Sequence, residues 1–305
     1  MSDAVTAAAA LAPAEPRPER RGPNALAWLI MPVALLFALF FVLPLSLMLL
    51  MSVLTGNPFF DTDVHFTAEN YIRFVSDSYN WDVLWITIRI GLSTTLATLL
   101  LGYPLAHLMA RMHSRSGHAL LLIAVLAPML TGIVVRTFAW MAILSDTGVV
   151  NATLLHLGLI DKPLKLLNSE TGIVIGLTHI YIPYMVLTLN GVISRIDERL
   201  EQAATNLGAH PLRAFWEVTL PLSIPGILAG SLLVFALSIS AYVTPLLMGG
   251  FQFMTLPLLI YQQISASFNI GFAAALGIIL LAVSLLLIIG YNRVLGQLSG
   301  DHKLT

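Results

Sequence analysis

Six long apolar runs, at about 28–52, 84–108, 119–143, 171–193, 221–248 and 269–291, constrain this chain more than any other feature. At about 1.5 Å of helix per residue, each is long enough to cross a hydrocarbon core about 30 Å thick. Of the 305 residues, 57% are hydrophobic and only 10% charged, far from the usage of a soluble domain. Lipid offers the backbone no hydrogen bonds, so runs of this length become helices. The expected fold class is an all-α polytopic membrane protein with six transmembrane helices. The fifth run is overlong and carries Pro225, Gly226 and Gly230, which predicts a kink or oblique entry there.

Basic residues set the expected orientation. Arg17, Arg20 and Arg21 precede the first run, and Arg111 and Arg115 separate the second from the third. Arg195, Arg199 and Arg213 stand between the fourth and fifth, and Arg293 and Lys303 follow the sixth. The opposite loops hold only Arg73, Lys162 and Lys165. The positive-inside rule then places both termini and the loop 195–221 in the cytoplasm. Residues 1–27, rich in Ala and Pro, are expected to form a disordered cytoplasmic arm. The transmembrane domain follows over 28–293, and 294–305 forms a cytoplasmic tail. A signal peptide is rejected: the run from Ala25 to Val53 is too long for a signal core, and no small-x-small site follows it. On the far side, Ala68–Val75 reads as a surface helix near the acids Asp61 and Asp63. Phe251–Ile264 reads as a short re-entrant or interfacial piece.

Catalytic chemistry finds nothing to stand on. The chain has no cysteine, which removes thiolate catalysis and cysteine metal sites. No G-x-x-x-x-G-K-[ST], H-E-x-x-H or G-x-S-x-G stretch occurs, and the eight histidines lack ligand spacing on one helix face. No catalytic residue, metal site or cofactor of the chain's own is expected. A net charge of -1 gives no sign of nucleic acid, and none is expected as a partner.

The longest strongly polar stretch is Arg195–Gly208. Leu200, Ala203, Ala204 and Leu207 recur at helical spacing, while Asp197, Glu198, Glu201, Gln202, Thr205 and Asn206 fall largely on the other side. Asp197 suits an N-cap and Gly208 the left-handed position after the last turn. Pro211 can open a second helix. Two short helices meeting at a glycine corner, tied to apolar runs on both sides, make a shape suited to docking.

These residues, from Leu200 to Ala209 with Phe215 and with Leu220-Pro221 through Pro225-Gly226, resemble the EAA loop of binding-protein-dependent ABC permeases. Gln202 departs from the family pattern, standing where glutamate is usual, with Glu201 one place earlier. An ordinary amphipathic loop would not explain the glycine stop, the Leu-Pro and Pro-Gly signals and their place before an apolar run. The resemblance implies the ABC importer type I (MetI-like) permease fold, in an inner membrane. It implies that Asp197, Leu200, Glu201, Gln202, Ala203, Ala204, Leu207 and Gly208 couple the chain to a cytoplasmic ABC ATPase dimer. The further implied partners are a second permease subunit and a periplasmic solute-binding protein, with membrane lipid around the helices. ATP and Mg then act through the ATPase alone.

Arg89 and Arg136 are the formal charges well inside the runs. Burial of such a charge costs about 3 kcal/mol or more, so it marks a pathway or a pair. With His179 they fall about 10–13 Å from the far ends of their helices, which predicts one polar layer. The alternatives for the arginines are snorkelling or pairing with Asp82 and Asp146. Trp140, Tyr181, Tyr184 and Tyr242 complete the candidate translocation path, as aromatic faces able to meet ammonium groups. Val135–Trp140, Gly148–Asn151 and Ser240–Gly250 resemble a narrower branch, the spermidine/putrescine permeases of the B class. That branch implies import of a polyamine or related small amine. Two other readings stay open: an ion-driven secondary transporter, and an ABC permease for an anionic or zwitterionic solute such as an amino acid or organophosphonate. No run interior holds Asp or Glu, which argues against an acid relay and hence against the ion-driven carrier.

Overall fold

The computed structural model describes residues 23–55, 64–250 and 252–300. Every regular element among them is a helix. The arginines at 17, 20 and 21, Asp61, Asp63, Phe251 and Lys303 lie outside the described residues, as do most of the N-terminal arm and the end of the tail. Two units separate, Met1–Met48 and Leu49–Thr305.

In the first unit, α1 (Pro23–Phe37) passes through a π-helical turn at Ala38–Val42 into α2 (Leu43–Ser52), which ends in the second unit. Ile30, Leu35, Phe40 and Phe41 are exposed on different sides of the helix. A helix apolar all round suits lipid.

The second unit is organised around α8 (Glu170–Ile193), flanked by α4 (Ser78–Ala110) and α11 (Leu220–Ile239). Ile173, Leu177, Met185, Val186, Leu189 and Ile193 of α8 are almost fully buried. Apolar contact alone drives little association in lipid, so close backbones and interhelical hydrogen bonds must hold the trio. Both are present. A Cβ on Gly230 would lie 2.7 Å from Met185 Sδ, and one on Gly226 2.9 Å from Val192 Cβ. Tyr103 and Ser223 share a hydrogen bond of 2.8 Å, and the Tyr181 hydroxyl donates to the Leu237 carbonyl at 3.0 Å.

The fifth run holds more than one element. Pro225, Gly226 and Gly230 do not break α11, because the two glycines are notches for α8 instead. The run is overlong because it holds two elements: α11 ends at Ile239, and α12 (Val243–Gly249) begins after a break at Ser240–Tyr242. The third run is also divided. Helix α5 (Arg115–Leu126) tightens into a 3-10 turn at Ala127–Leu130, Thr131 and Gly132 are extended, and α6 (Ile133–Leu144) follows. Pro128 has no amide hydrogen to give and Gly132 is a poor helix former. The expected single helix 119–143 is thus two.

By length and composition, six stretches among the described residues can cross a membrane, the third at Ile133–His156 with the shorter Arg115–Leu130 before it. The expected surface helix is α3 (Glu69–Ser76), with the Arg73 guanidinium 4.3 Å from the Phe272 ring of α14 (Ile270–Gly300). Within the expected re-entrant piece, α13 (Leu256–Ser265) buries Leu256, Leu258 and Leu259, and the Leu256 amide donates to Thr87 Oγ1 at 2.8 Å.

Candidate functional site

Local chemistry builds the polar corner. Asp197 caps α9 (Glu198–Asn206), its carboxylate accepting the Arg199 amide at 2.9 Å. At the other end the Gly208 amide donates to the Thr205 carbonyl at 2.9 Å, and the Ala209 amide to the Ala204 carbonyl at 3.0 Å. This pair of bonds is the Schellman stop, and Gly208 supplies its left-handed residue at φ +91°. His210 then caps α10 (Pro211–Ala214), its Nδ1 accepting the Leu212 amide at 3.3 Å. From Pro211 the helix runs on through a π-helical turn at Phe215–Thr219 into α11 without interruption.

The apolar face expected on α9 has no core to enter. None of its residues is buried, Leu200 is exposed, and Leu207 is 91% exposed. Gln202 and Ala203 also face out, and Ala204 is half-buried. Glu201 is different. Its Oε1 accepts from Arg111 Nη2 at 2.5 Å and from the buried Thr219 hydroxyl at 2.5 Å. Arg111 Nη1 also donates to the Ile196 carbonyl at 3.1 Å and lies 3.8 Å from Glu198. Burial pushes the Glu201 carboxyl up, but the Thr219 hydroxyl and the Arg111 guanidinium outweigh it and hold it below the usual range. So one carboxylate of the polar side is turned back into its own chain. Sequence reading used Arg111 only as a topological charge and passed over Thr219. The place of Arg111 at the end of the second run was the available signal.

Within the spanning helices, Arg89 is paired. Its Nε donates to Glu170 Oε1 at 2.7 Å, and its Nη2 meets the other oxygen of the same carboxylate. The partner is the first residue of α8, not Asp82 or Asp146. Arg136 and Trp140 stand one helical turn apart on α6, and the Trp140 and His179 rings meet edge-on at 5.4 Å. Arg136 Nε and Nη1 and His179 Nδ1 have no hydrogen-bond partner among the described residues. Tyr184 packs edge-on against Tyr181 at 6.2 Å, and Tyr242 stacks on Tyr261 at 5.7 Å.

The Gly148–Asn151 stretch has a structural role. Asn151, fully buried at the start of α7 (Val149–His156), donates to the Ser145 and Leu164 carbonyls at 3.0 Å and accepts the Leu164 amide at 2.8 Å. A side chain at Gly148 would collide with the Ile143 and Ala142 carbonyls. The described residues contain no group of His, Asp and Glu able to hold a metal.

Spanning helices interrupted by a short exposed helix and glycine corner are the build of a membrane transport component. Residues 99–297 match the family described as "Binding-protein-dependent transport system inner membrane component", and the chain belongs to that family. It is the permease subunit of an ABC importer rather than an enzyme. It is 34% identical over 266 residues to the spermidine/putrescine transport system permease protein PotB of Haemophilus influenzae, covering 86% of this chain and 92% of the relative. It is 34% identical over 255 residues to the protein of the same name from Escherichia coli K12, covering 84% and 92%. Among solved structures, a bacterial ABC transporter involved in the import of the acidic polysaccharide alginate superposes with TM-score 0.69 over 88% of this chain and 94% of that one. At 18% identity that likeness shows the MetI-like permease fold alone.

Proposed function

We propose that this permease imports a polyamine or a related small amine, together with a second permease, a cytoplasmic ATPase dimer and a periplasmic binding protein. The substrate class rests on the printed names of its relatives over most of the chain. The coupling role rests on one observation: the apolar face of α9, with Leu200 and the capping Leu207, is exposed beside the turn at Gly208. Such a face needs a partner. Arg111 reaching Ile196 and Glu201 brings two of the basic loops together, which supports reading both on the same, cytoplasmic side.

In this reading, closure of the ATPases moves α9 and drives the spanning helices between inward-open and outward-open states. Arg136, Trp140, His179, Tyr181, Tyr184 and Tyr242 border the path. Arg89, tied to Glu170, serves as a strut between α4 and α8. The aromatic faces of Trp140, Tyr181, Tyr184 and Tyr242 pass ammonium groups through cation–π contacts. Vesicles holding the four components should take up labelled putrescine and spermidine, competed by other polyamines. Competition by amino acids or organophosphonates would overturn the substrate class. Arg136→Gln should impair turnover or assembly without changing which solutes compete.

A further inference from the structure

Four ion pairs are formed at the corner end, Arg111–Glu198 at 3.8 Å among them, and they are not equivalent. Arg213 and Glu217 lie four residues apart on one helix with side chains 69% and 59% exposed, and such a pair contributes little. His113 reaches Glu198 from a side chain 85% exposed. Arg111 and Glu201 are 15% and 27% exposed, and Thr219 is wholly buried against the same carboxylate oxygen. Water screens that pair least, so it holds its geometry best.

The segments it joins are what matter. Arg111 closes the end of α4, Ile196 lies on the link leaving α8, Glu201 is the middle of α9, and Thr219 ends the π-helical turn leading into α11. One guanidinium and one carboxylate therefore fasten the exposed corner to all three helices of the central trio. Glu201 and Gln202 are neighbours about 100° apart around the helix, so one turns inward while the other faces out.

We infer that Arg111 and Glu201 form a positioning pair that transmits the displacement of the corner to α4, with Thr219 passing it to α11. This rests on the reading of the corner as the ATPase-docking element. Without the pair α9 would still dock, but its motion would be taken up by the links at Ser194–Asp197 and Leu207–His210 rather than moving the spans.

The test uses the complete importer in vesicles, with Ala203→Cys as a cross-linking handle in this cysteine-free chain. Cross-linking of position 203 to the ATPase reports docking, and putrescine moved per ATP hydrolysed reports transmission. Arg111→Gln should keep the cross-link and lower the transport ratio about tenfold, the lower end of what losing a charge-assisted hydrogen bond does. Thr219→Val should also lower it by about tenfold, since its hydroxyl donates to an ionised carboxylate. Arg111→Glu combined with Glu201→Arg should recover much of the ratio lost in Arg111→Glu alone. An unchanged ratio in Arg111→Gln, or no recovery in the swap, would overturn the positioning pair. Absence of the cross-link in the otherwise unaltered chain would instead overturn the docking reading. Should Arg111→Gln not accumulate in the membrane, the charge-conserving swap and Thr219→Val decide the matter by the same ratio.

Discussion

Gly208 and Glu201 restrict the same short helix in different ways. A side chain at Gly208 would meet open space, so only the backbone angle of +91° excludes other residues. Asparagine tolerates that region, whereas a left-handed conformation costs an ordinary side chain about 1–2 kcal/mol and a β-branched one more. Gly208→Asn should retain vesicle uptake and Gly208→Val should lose most of it; equal activity in the two would mean the corner is not used. Glu201 carries a pH signature. Its folded pKa lies below the usual 4.5, so its stabilising contribution is complete above that value and lost as pH falls through the lower folded one. The melting-temperature gap between the wild type and Glu201→Gln should be flat from about pH 8 to about pH 5 and close only in more acid solution. A gap that closes already at neutral pH would show that the effect does not come from the Glu201 carboxylate.

At the scale of elements, the two corrected runs obey one principle. A glycine that receives a neighbour's side chain is held in the helix, whereas one with nothing packed on it leaves the helix free to break. Pro128 and Gly132 interrupt the third run, and a Cβ at Gly132 would touch nothing within 4 Å. Gly226 and Gly230 lie under Val192 and Met185, and α11 continues unbroken through them. Gly230→Leu should therefore destabilise the bundle by about 1–3 kcal/mol through overpacking. Adding Met185→Ala should recover part of that loss, as contacting positions are not additive. Thermal unfolding in detergent measures both, and strict additivity would show that the two helices do not meet there.

For the whole molecule, the orientation is the consequential expectation, since it decides which compartment the corner faces. Single cysteines in this cysteine-free chain test it directly. Membrane-impermeant labelling from outside should reach Asp63→Cys and Lys162→Cys and spare Arg115→Cys and Thr205→Cys. The reverse pattern would remove the topology and the coupling role together. The ion pair between Arg89 of α4 and Glu170 of α8 belongs to this scale as well, because it ties the central trio at a place remote in sequence from the corner.

Much of this protein could be read without coordinates, for a physical reason. Lipid leaves the backbone no partner but itself, so crossing segments must be long, apolar and helical, and they stand out in the amino-acid order. The corner was legible too, because Asp197, Gly208 and Pro211 act on backbone groups only a few residues away. Side-chain pairing was not. Arg111 finds Glu201 across 90 residues and Arg89 finds Glu170 across 81. Which residues meet depends on how each helix is rotated against the next. Helices apolar on every face carry almost no mark of that rotation, and only the packed structure decides it.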